Sequence, residues 1–267
     1  MEHALNICIG ADPTHGTVEY VDQPTAQSSG LVSVTSSGQV IMRADNTTTG
    51  NRKSVRINTQ KTYNSGLFVL DLEHLPVGTG SWPAWWTFGP NWPNSGEIDV
   101  IFLLIRIYQT RAKCLQILEG VSNSATNQYT LHTGNQNGGC VMPVGDCYGN
   151  MGCDVKDTRS NSFGDAFNQG GGGVFAMLWN NDAIQMWFFP RGSVPDDLNN
   201  GLSPDPSGWS APAASFPNNP SCNIASNFAN HQMIFDLTFC GDWAGAVVPD
   251  CVNQVTNYPS VRFDFLS

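Results

Sequence analysis

Glu97 and Asp99 are the residues whose types and spacing suggest chemistry most directly. They flank Ile98 in a strand-like segment, and side chains two residues apart on a strand point to the same face. Acidic residues are depleted in strands, and two like charges on one face raise each other's pKa. Such a pair is typical of glycoside hydrolysis, in which one carboxyl group is the nucleophile and another is the acid/base. The alternative is an exposed strand face without catalytic function.

Tryptophans surround the carboxyl pair. Trp85 and Trp86 are adjacent, so on a strand they face opposite sides of the sheet, and one can lie in the core while the other faces the outer or concave surface. Core packing is the ordinary explanation for at least half of the tryptophans in this region. With few lysines and many acidic residues, however, exposed indole rings favour a carbohydrate groove over a protein interface. Residues 80–101 contain four of the eight tryptophans: Trp82, Trp85, Trp86 and Trp92.

His132 is a further candidate. In a strand over 129–132, Thr130 and His132 share one face and Leu131 takes the other, so a histidine that faces the site is geometrically possible. Without other information, a lone histidine on a strand is more often a structural hydrogen-bonding residue than a catalytic one.

The composition limits the possible partners. The 267 residues contain 12 Lys and Arg against 22 Asp and Glu, a formal net charge of −10. Nucleic acids and anionic membranes attract basic patches, so this charge argues against both. No apolar run is long enough to span a membrane. Hydrophobic residues make up 40% of the chain, which argues against disorder.

The eight cysteines favour disulfides over zinc, because no CxxC spacing occurs. They form two groups of three plus Cys8 and Cys114, so we expect two or three bridges and free thiols, with the pairing left open. Residues 1–10 lack the basic and apolar regions of a signal peptide. We interpret the chain as a fragment of a secreted protein that starts upstream, with one domain over residues 11–267 and an atypical segment over 1–10.

Short runs of strand-forming residues recur between Asn-, Gly- and Pro-rich turns, and helical periodicity is almost absent. This pattern predicts a single all-β domain that is a sandwich of two antiparallel sheets. The predicted strands cover 18–21, 31–34, 40–43, 54–58, 66–72, 84–87, 97–101, 129–132, 173–179, 184–189, 232–239 and 261–266.

Several motifs together resemble the fungal laminarinase-like members of glycoside hydrolase family 16, whose signature is E-x-D-x-x-E. The resemblance covers nearly the whole chain from Ala11. It is carried by ADPTHGTVEYVD (11–22), IMRADNTTT (41–49), SVRI (54–57), SWPAWW (81–86), NWPNSGEIDVI (91–101), EGVSN (119–123), TLHTG (130–134), WFFPRG (187–192) and LTFCGDWAG (237–245).

The resemblance implies a concanavalin A-like jelly roll that cleaves β-1,3 or mixed β-1,3/1,4 glucan with retention of configuration. It implies Glu97 as the nucleophile and Asp99 as the residue that tunes it. The substrate-binding residues implied by the family are Trp86, Trp92, His132 and Trp243. The expected partner is a β-glucan polysaccharide, with no nucleic acid, membrane, metal or organic cofactor, and the protein is expected to be extracellular and monomeric.

Residues 102–118 depart from the family pattern. The signature places its last glutamate at position 102, but that position is Phe, and the expected glutamate is Glu119, after 17 residues of unusual composition. We interpret 102–118 as an insertion translated from a retained intron or a misplaced exon boundary. Glu119 is then the acid/base only if the insertion returns it beside Glu97, so this chain is expected to be weakly active or inactive. The alternatives are a catalytically impaired glucan-binding relative and a cell-wall glucan transglycosylase.

Overall fold

The computed structural model describes residues 5–48, 50–100, 124–149, 152–199, 203–255 and 262–265. The interpretations of residues 102–118 and of Glu119 therefore lie outside the described residues. None of the helices in these ranges is long and apolar enough to cross a membrane.

Two antiparallel sheets, each of seven strands within the described residues, form most of the fold, and the two-sheet arrangement agrees with the prediction from the sequence. In spatial order, the first sheet contains β1 (Leu5–Ile7), β7 (Arg56–Thr59), β18 (Gln232–Phe239), β9 (Ser81–Phe88), β10 (Glu97–Asp99), β11 (Gln128–His132) and β14 (Cys153–Lys156). The second sheet contains β17 (Ala214–Pro217), β16 (Ala183–Pro190), β15 (Gly173–Trp179), β8 (Gly66–His74), β19 (Arg262–Phe265), β5 (Val40–Arg43) and β4 (Val32–Val34).

Smaller elements complete the fold. A three-stranded sheet contains β2 (Gly10–Ala11), β3 (Val18–Tyr20) and β6 (Arg52–Ser54). A short hairpin contains β12 (Val141–Met142) and β13 (Gly145–Asp146). Only short helices occur in the described ranges: α1 (Gln23–Ser28), α2 (Gly164–Gln169), α3 (Asp196–Asn199), α4 (Ile224–Asn227), α5 (Gly241–Val247) and α6 (Cys251–Gln254). Single turns of 3-10 helix lie at Arg191–Ser193 and Pro206–Gly208.

The main core lies between the inner faces of the two sheets. Trp85, Ile98 and Leu131 belong to it from the first sheet, and Phe175 and Phe188 from the second, all of them buried. Because alternate residues of β9, β10 and β11 fill this core, the residues between them must point to the other face of the first sheet. The alternation predicted for Trp85 and Trp86, and for Ile98 between the two acidic residues, is thereby confirmed.

One predicted strand is divided in the structure. The run 54–58 becomes the end of β6 and the start of β7, with the buried Val55 between them. The chain changes sheets at this point, because β6 pairs in parallel with β3 whereas β7 pairs with β18 in the first sheet. No Gly, Pro, Asn or Asp separates the two strands, so the sequence does not reveal the change of partner.

Three disulfides lie among the described residues, and they join Cys140 to Cys222, Cys147 to Cys153 and Cys240 to Cys251. Cys8 is a free thiol. The expectation of two or three bridges is confirmed. The odd member of each cysteine group pairs with the other group, across a sequence separation of 82 residues.

Candidate active site

The central strands of the first sheet place the candidate catalytic residues side by side. In β10, Glu97 lies opposite His132 of β11, and Asp99 lies opposite Thr130. On the other side, Asp99 lies opposite Trp86 of β9. Residues directly opposite each other in an antiparallel pair share a face, so all of these side chains point away from the core between the sheets.

The turn that precedes β10 requires a glycine. Gly96 precedes Glu97 with a φ of +77°, and a Cβ at this position would lie 2.4 Å from Cδ1 of Phe228 and 2.5 Å from the carbonyl oxygen of Asn227. Only glycine fits such a left-handed and crowded position. The turn before the strand therefore fixes the start of β10, whose first residue is Glu97.

Glu97, Asp99 and His132 form one compact cluster. One carboxylate oxygen of each acidic residue and one imidazole nitrogen lie within 4.8 Å of one another, and all three side chains are fully buried. Nε2 of His132 is 3.2 Å from Oδ2 of Asp99, and Nδ1 is 2.8 Å from the carbonyl oxygen of Gly149. A carbonyl oxygen only accepts hydrogen bonds, so Nδ1 carries a proton.

Burial and mutual proximity control the protonation of the two carboxyl groups. Burial raises the pKa of Glu97 well above its ordinary value, and the neighbouring Asp99 raises it further, whereas His132 and a hydrogen bond from Trp92 lower it. Burial also raises the pKa of Asp99 well above its ordinary value. The pair therefore retains a proton to higher pH than two isolated carboxyl groups would. One ionised carboxylate beside a protonated neighbour suits nucleophilic catalysis.

Trp92 contacts the cluster directly. It lies in the turn between β9 and β10, and its Nε1–H donates a hydrogen bond to Oε2 of Glu97. A donor on the charged form of a carboxyl group favours that form. The same indole ring is partly exposed, so it also offers surface beside the carboxyl group.

A buried histidine fixes the turn that carries Trp92. His231 donates from Nε2 to the carbonyl oxygen of Ser95 at 2.7 Å, and its Nδ1 lies 2.8 Å from Oγ1 of Thr87. Burial lowers the pKa of His231 to about 4, so the ring is neutral and Nδ1 accepts from the Thr87 hydroxyl. Sequence analysis did not single out His231, because its partners are far from it along the chain.

An ion pair lies beside Trp86. The Arg56 guanidinium lies 5.0 Å from the centre of the Trp86 ring, and its Nη1 is 3.1 Å from Oδ2 of Asp236. Burial raises the pKa of Asp236 to about 7, although Arg56 opposes this shift. Sequence analysis missed both charged residues. The available signal was an ionisable residue between apolar neighbours in a strand, the same signal that identifies Glu97 and Asp99.

The predicted tryptophans form a second cluster on the same face of the first sheet. Trp86 is fully buried and stacks on Phe88, with ring centroids 5.1 Å apart. Trp243, in α5, packs edge-on against Trp82 at 5.7 Å and keeps 9% of its surface exposed. The structure therefore brings Trp86 and Trp243 together, and places Trp92 with Glu97.

Metal binding is the other chemistry that these donor types permit. Carboxylate oxygens and an imidazole nitrogen are common ligands of divalent cations, and Glu97, Asp99 and His132 offer one such atom each within 4.8 Å. The same groups act as acids, bases or nucleophiles in enzymes that need no metal.

Comparison with known proteins identifies the family. The chain matches the family described as XgeA-like, catalytic GH16 domain over residues 6–104 and 114–262. It is 41% identical to a probable endo-1,3(4)-β-glucanase of Aspergillus niger over 91% of this chain and 32% of that protein. The chain spans between about a third and just over half of the length of the curated relatives it matches.

Two solved structures agree with this match. Laminarinase 16A of Phanerochaete chrysosporium, a GH16 protein solved with β-glucans in its donor and acceptor sites, is 38% identical with a TM-score of 0.85, covering 98% of this chain and 92% of that one. An elongating family 16 β-1,3-glucosyltransferase is 33% identical with a TM-score of 0.80, covering 99% and 95%. The resemblance in the sequence is confirmed, and the chain belongs to the XgeA-like catalytic domains of glycoside hydrolase family 16.

Proposed function

We propose that the chain is an endo-β-1,3(4)-glucanase that hydrolyses laminarin-type or mixed-linkage β-glucan with retention of configuration. The observation that carries the proposal is the buried cluster of Glu97, Asp99 and His132 on the face of the first sheet, in a chain of this family. The activity named for the Aspergillus niger relative, and the glucans bound to the Phanerochaete chrysosporium laminarinase, support a β-glucan substrate.

In the proposed reaction, Glu97 attacks the anomeric carbon and forms a glycosyl ester, while Glu119 donates a proton to the leaving glycosidic oxygen. Glu119 then takes a proton from water, which attacks the same carbon and releases Glu97. Asp99, with its raised pKa, holds a proton beside Glu97 and so stabilises the carboxylate when it leaves. His132 contacts Asp99 and orients it.

The proposed sugar-binding residues are Trp86, Trp92, His132 and Trp243. Trp92 has the most direct support, since its ring is partly exposed and its Nε1–H contacts Glu97. Trp243 retains an exposed edge next to Trp82. Trp86 is covered in this structure, so a sugar reaches its face only if neighbouring side chains move. Indole faces suit glucose rings because both present flat apolar surfaces.

We further propose that the acid/base residue of this chain is displaced from the nucleophile. Between Asp99 and Glu119 the sequence contains no other Asp or Glu, so only Glu119 can take that function. The family match omits residues 105–113, which supports an insertion in this part of the chain. We propose that residues 102–118 separate Glu119 from Glu97 and leave the chain weakly active.

Reducing-sugar release from laminarin and from mixed-linkage glucan tests this function in three forms: the chain as written, a form lacking 102–118, and that shorter form with Glu97→Gln. We expect deletion to raise activity by about 10²–10⁴-fold, the usual contribution of a general acid. We expect Glu97→Gln to abolish the gain. Equal activity of the long and short forms would contradict the insertion hypothesis, and activity that survives Glu97→Gln would exclude Glu97 as the nucleophile. Laminarin binding without release by every form would indicate a glucan-binding relative.

Transglycosylation is the second candidate, favoured by the similarity to a family 16 glucosyltransferase described as elongating. In that reaction an acceptor sugar replaces water in the second step, and the carboxyl groups keep the same functions. Product analysis separates the two, because chains longer than the substrate appear only on transfer.

An extracellular location belongs to the same proposal. Three disulfides in the described residues support it, since such bonds persist mainly in oxidising compartments. We also propose that the protein acts as a monomer and needs no cofactor, because one chain supplies every residue named in the reaction.

A further inference from the structure

Two segments that lie 227 residues apart in the sequence meet beside Trp243. One is residues 12–16, which we call the 12–16 loop, and the other is the start of α5, the helix that carries Trp243. The N–H of Asp242 donates to the carbonyl oxygen of Thr14 at 2.8 Å, and Nδ1 of His15 lies 2.9 Å from Oδ1 of the same aspartate. The 12–16 loop therefore holds the first turn of α5.

Asp12 gives the 12–16 loop its shape. The residue is only 5% exposed, and its Oδ1 accepts hydrogen bonds from the N–H of Thr14 at 3.0 Å and from the hydroxyl of Thr14 at 2.8 Å. An aspartate that accepts from the backbone two residues further on fixes a tight turn. Its Oδ2 accepts from the hydroxyl of Thr238 in β18. Asp12 thus forms the turn and also attaches it to the first sheet.

A glycine brings the 12–16 loop, the start of α5 and one tryptophan of the sheet into contact. Gly241 has a left-handed φ of +69°, and a Cβ at this position would lie 2.7 Å from the carbonyl oxygen of Thr14 and 2.9 Å from Cζ3 of Trp82. Two residues later, the Trp243 ring packs edge-on against Trp82 with ring centroids 5.7 Å apart. The place of the Trp243 indole therefore depends on where the 12–16 loop lies.

We propose that Asp12 is a positioning residue for Trp243. Asp12 holds Thr14 in place, the carbonyl of Thr14 holds the start of α5, and α5 presents the Trp243 indole beside Trp82. Because Asp12 is buried under the loop, it acts through these groups and not by contact with a sugar. That Trp243 is held in this way follows from the geometry, whereas the effect on glucan binding rests on the proposed function.

Fluorine NMR of the full chain labelled with 5-fluorotryptophan tests the position of Trp243, whose signal is identified by its loss in Trp243→Phe. We expect Asp12→Ala to shift this signal, because Thr14 and Thr238 lose their acceptor. Asp12→Asn should restore the original signal, since the amide accepts at Oδ1 from Thr14 and donates from Nδ2 to the Thr238 hydroxyl.

Asp45→Ala is the matched control. Asp45 has the same arrangement in a different loop, where its Oδ1 accepts from the N–H of Thr47 at 2.8 Å and from the hydroxyl of Thr47 at 2.7 Å. The Trp243 signal should stay in place in this variant. An unshifted Trp243 signal in Asp12→Ala, or a shift of equal size in Asp45→Ala or in Asp12→Asn, would overturn the proposal.

A glycine pair moves the 12–16 loop without removing any hydrogen-bonding group. A Cβ at Gly16 would lie 2.2 Å from Oδ2 of Asp12 and 2.0 Å from Oγ1 of Thr238, whereas a Cβ at Gly192 would have nothing within 4 Å. Neither glycine has a left-handed φ, so the two alanine variants differ only in this crowding. We expect Gly16→Ala, and not Gly192→Ala, to shift the Trp243 signal. Identical Trp243 signals in the two variants would overturn the proposal.

Calorimetric binding of laminarihexaose to the full chain separates positioning of Trp243 from general stabilisation of the fold. We expect Asp12→Ala and Trp243→Ala each to weaken binding by roughly tenfold. The double variant should bind no more weakly than Trp243→Ala alone, because both changes remove the same contact. Losses that add in the double variant would overturn the proposal. If no form binds the sugar, the proposed function fails, and the fluorine signals still decide this inference.

Discussion

Glu97 combines two properties that are rare in one side chain, since it is completely buried and also carries an ionisable group beside a second carboxyl group. Its pKa is raised first by burial and then by Asp99. Removal of the neighbouring charge should therefore lower the pKa of Glu97, while burial keeps it above the ordinary value of a glutamate.

Asp99→Asn tests this coupling at the scale of the residue. The amide keeps the shape of the side chain and removes its charge, so we expect the pKa of Glu97 to fall, as measured by carbon NMR of its carboxyl group across a pH titration. Asp236→Asn is the control, because it removes a buried carboxyl group of the same sheet that is paired with Arg56 instead. A pKa of Glu97 that stays unchanged or rises in Asp99→Asn would contradict the proposed coupling.

At the scale of the element, the turn between β9 and β10 is held in place by His231. A buried neutral histidine favours the folded state only while it stays uncharged. Because the pKa of His231 falls from 6.5 in the unfolded chain to about 4 in the folded protein, its contribution to stability is complete above pH 6.5 and is lost as the pH falls toward 4. The difference corresponds to about 3 kcal/mol.

His231→Gln should therefore weaken the acid sensitivity of the fold. We expect the free energy of unfolding, measured in urea from pH 7.5 to pH 4, to fall less steeply in this variant than in the unaltered protein. At pH 7.5 the variant should be less stable by about 1–3 kcal/mol, because it loses buried hydrogen bonds. His15→Gln serves as the control, because it removes a histidine whose side chain is 67% exposed and whose partner, Asp242, is also exposed. A slope in His231→Gln as steep as in the control would show that His231 is not the source.

The same elements show what the sequence could and could not predict. Period-2 alternation correctly placed Glu97 and Asp99 on one face of β10, and Thr130 and His132 on one face of β11, because strand geometry depends only on local spacing. That these two faces are the same follows from the pairing of β10 with β11. The strands over 40–43, 173–179 and 232–239 were predicted with their exact bounds. The partnership of Arg56 with Asp236 was not predictable, because it depends on which strands become neighbours across 180 residues of sequence.

Short elements were not predicted from the sequence, for a related reason. Strand β14 reads Cys-Asp-Val-Lys, an alternation of only four residues, and it is defined by pairing with β11. The carbonyl of Gly149, which accepts a hydrogen bond from Nδ1 of His132, has no side-chain signal at all. The side chains of the candidate cluster were therefore predictable from the sequence, whereas the groups that hold them were not.

At the scale of the whole molecule, the three disulfides among the described residues differ widely in the length of chain that each closes. In the chain-entropy description, a longer closed loop restricts the unfolded state more. The sequence separations are 82 residues for Cys140–Cys222, 11 for Cys240–Cys251 and 6 for Cys147–Cys153.

Paired Cys→Ser replacements should therefore differ in their effect on stability. Urea unfolding should show that loss of Cys140–Cys222 costs about 2 kcal/mol more than loss of Cys240–Cys251, with loss of Cys147–Cys153 costing the least. The three variants are one another's controls, since each exchanges two sulfurs for two oxygens. The reverse order would indicate that native contacts, and not loop length, control the stabilisation.

The function proposed for Glu97 as the nucleophile is testable whether or not Glu119 reaches the site. A laminari-oligosaccharide whose reducing-end sugar is a 2-deoxy-2-fluoro glycosyl fluoride loses fluoride without general-acid help, and the fluorine at C2 slows release of the glycosyl ester. After incubation with the full chain and proteolysis, mass spectrometry should find the sugar esterified to the peptide that contains Glu97, and no such product in Glu97→Gln. A sugar attached to a different residue, or the same labelling in Glu97→Gln, would contradict the proposed function of Glu97.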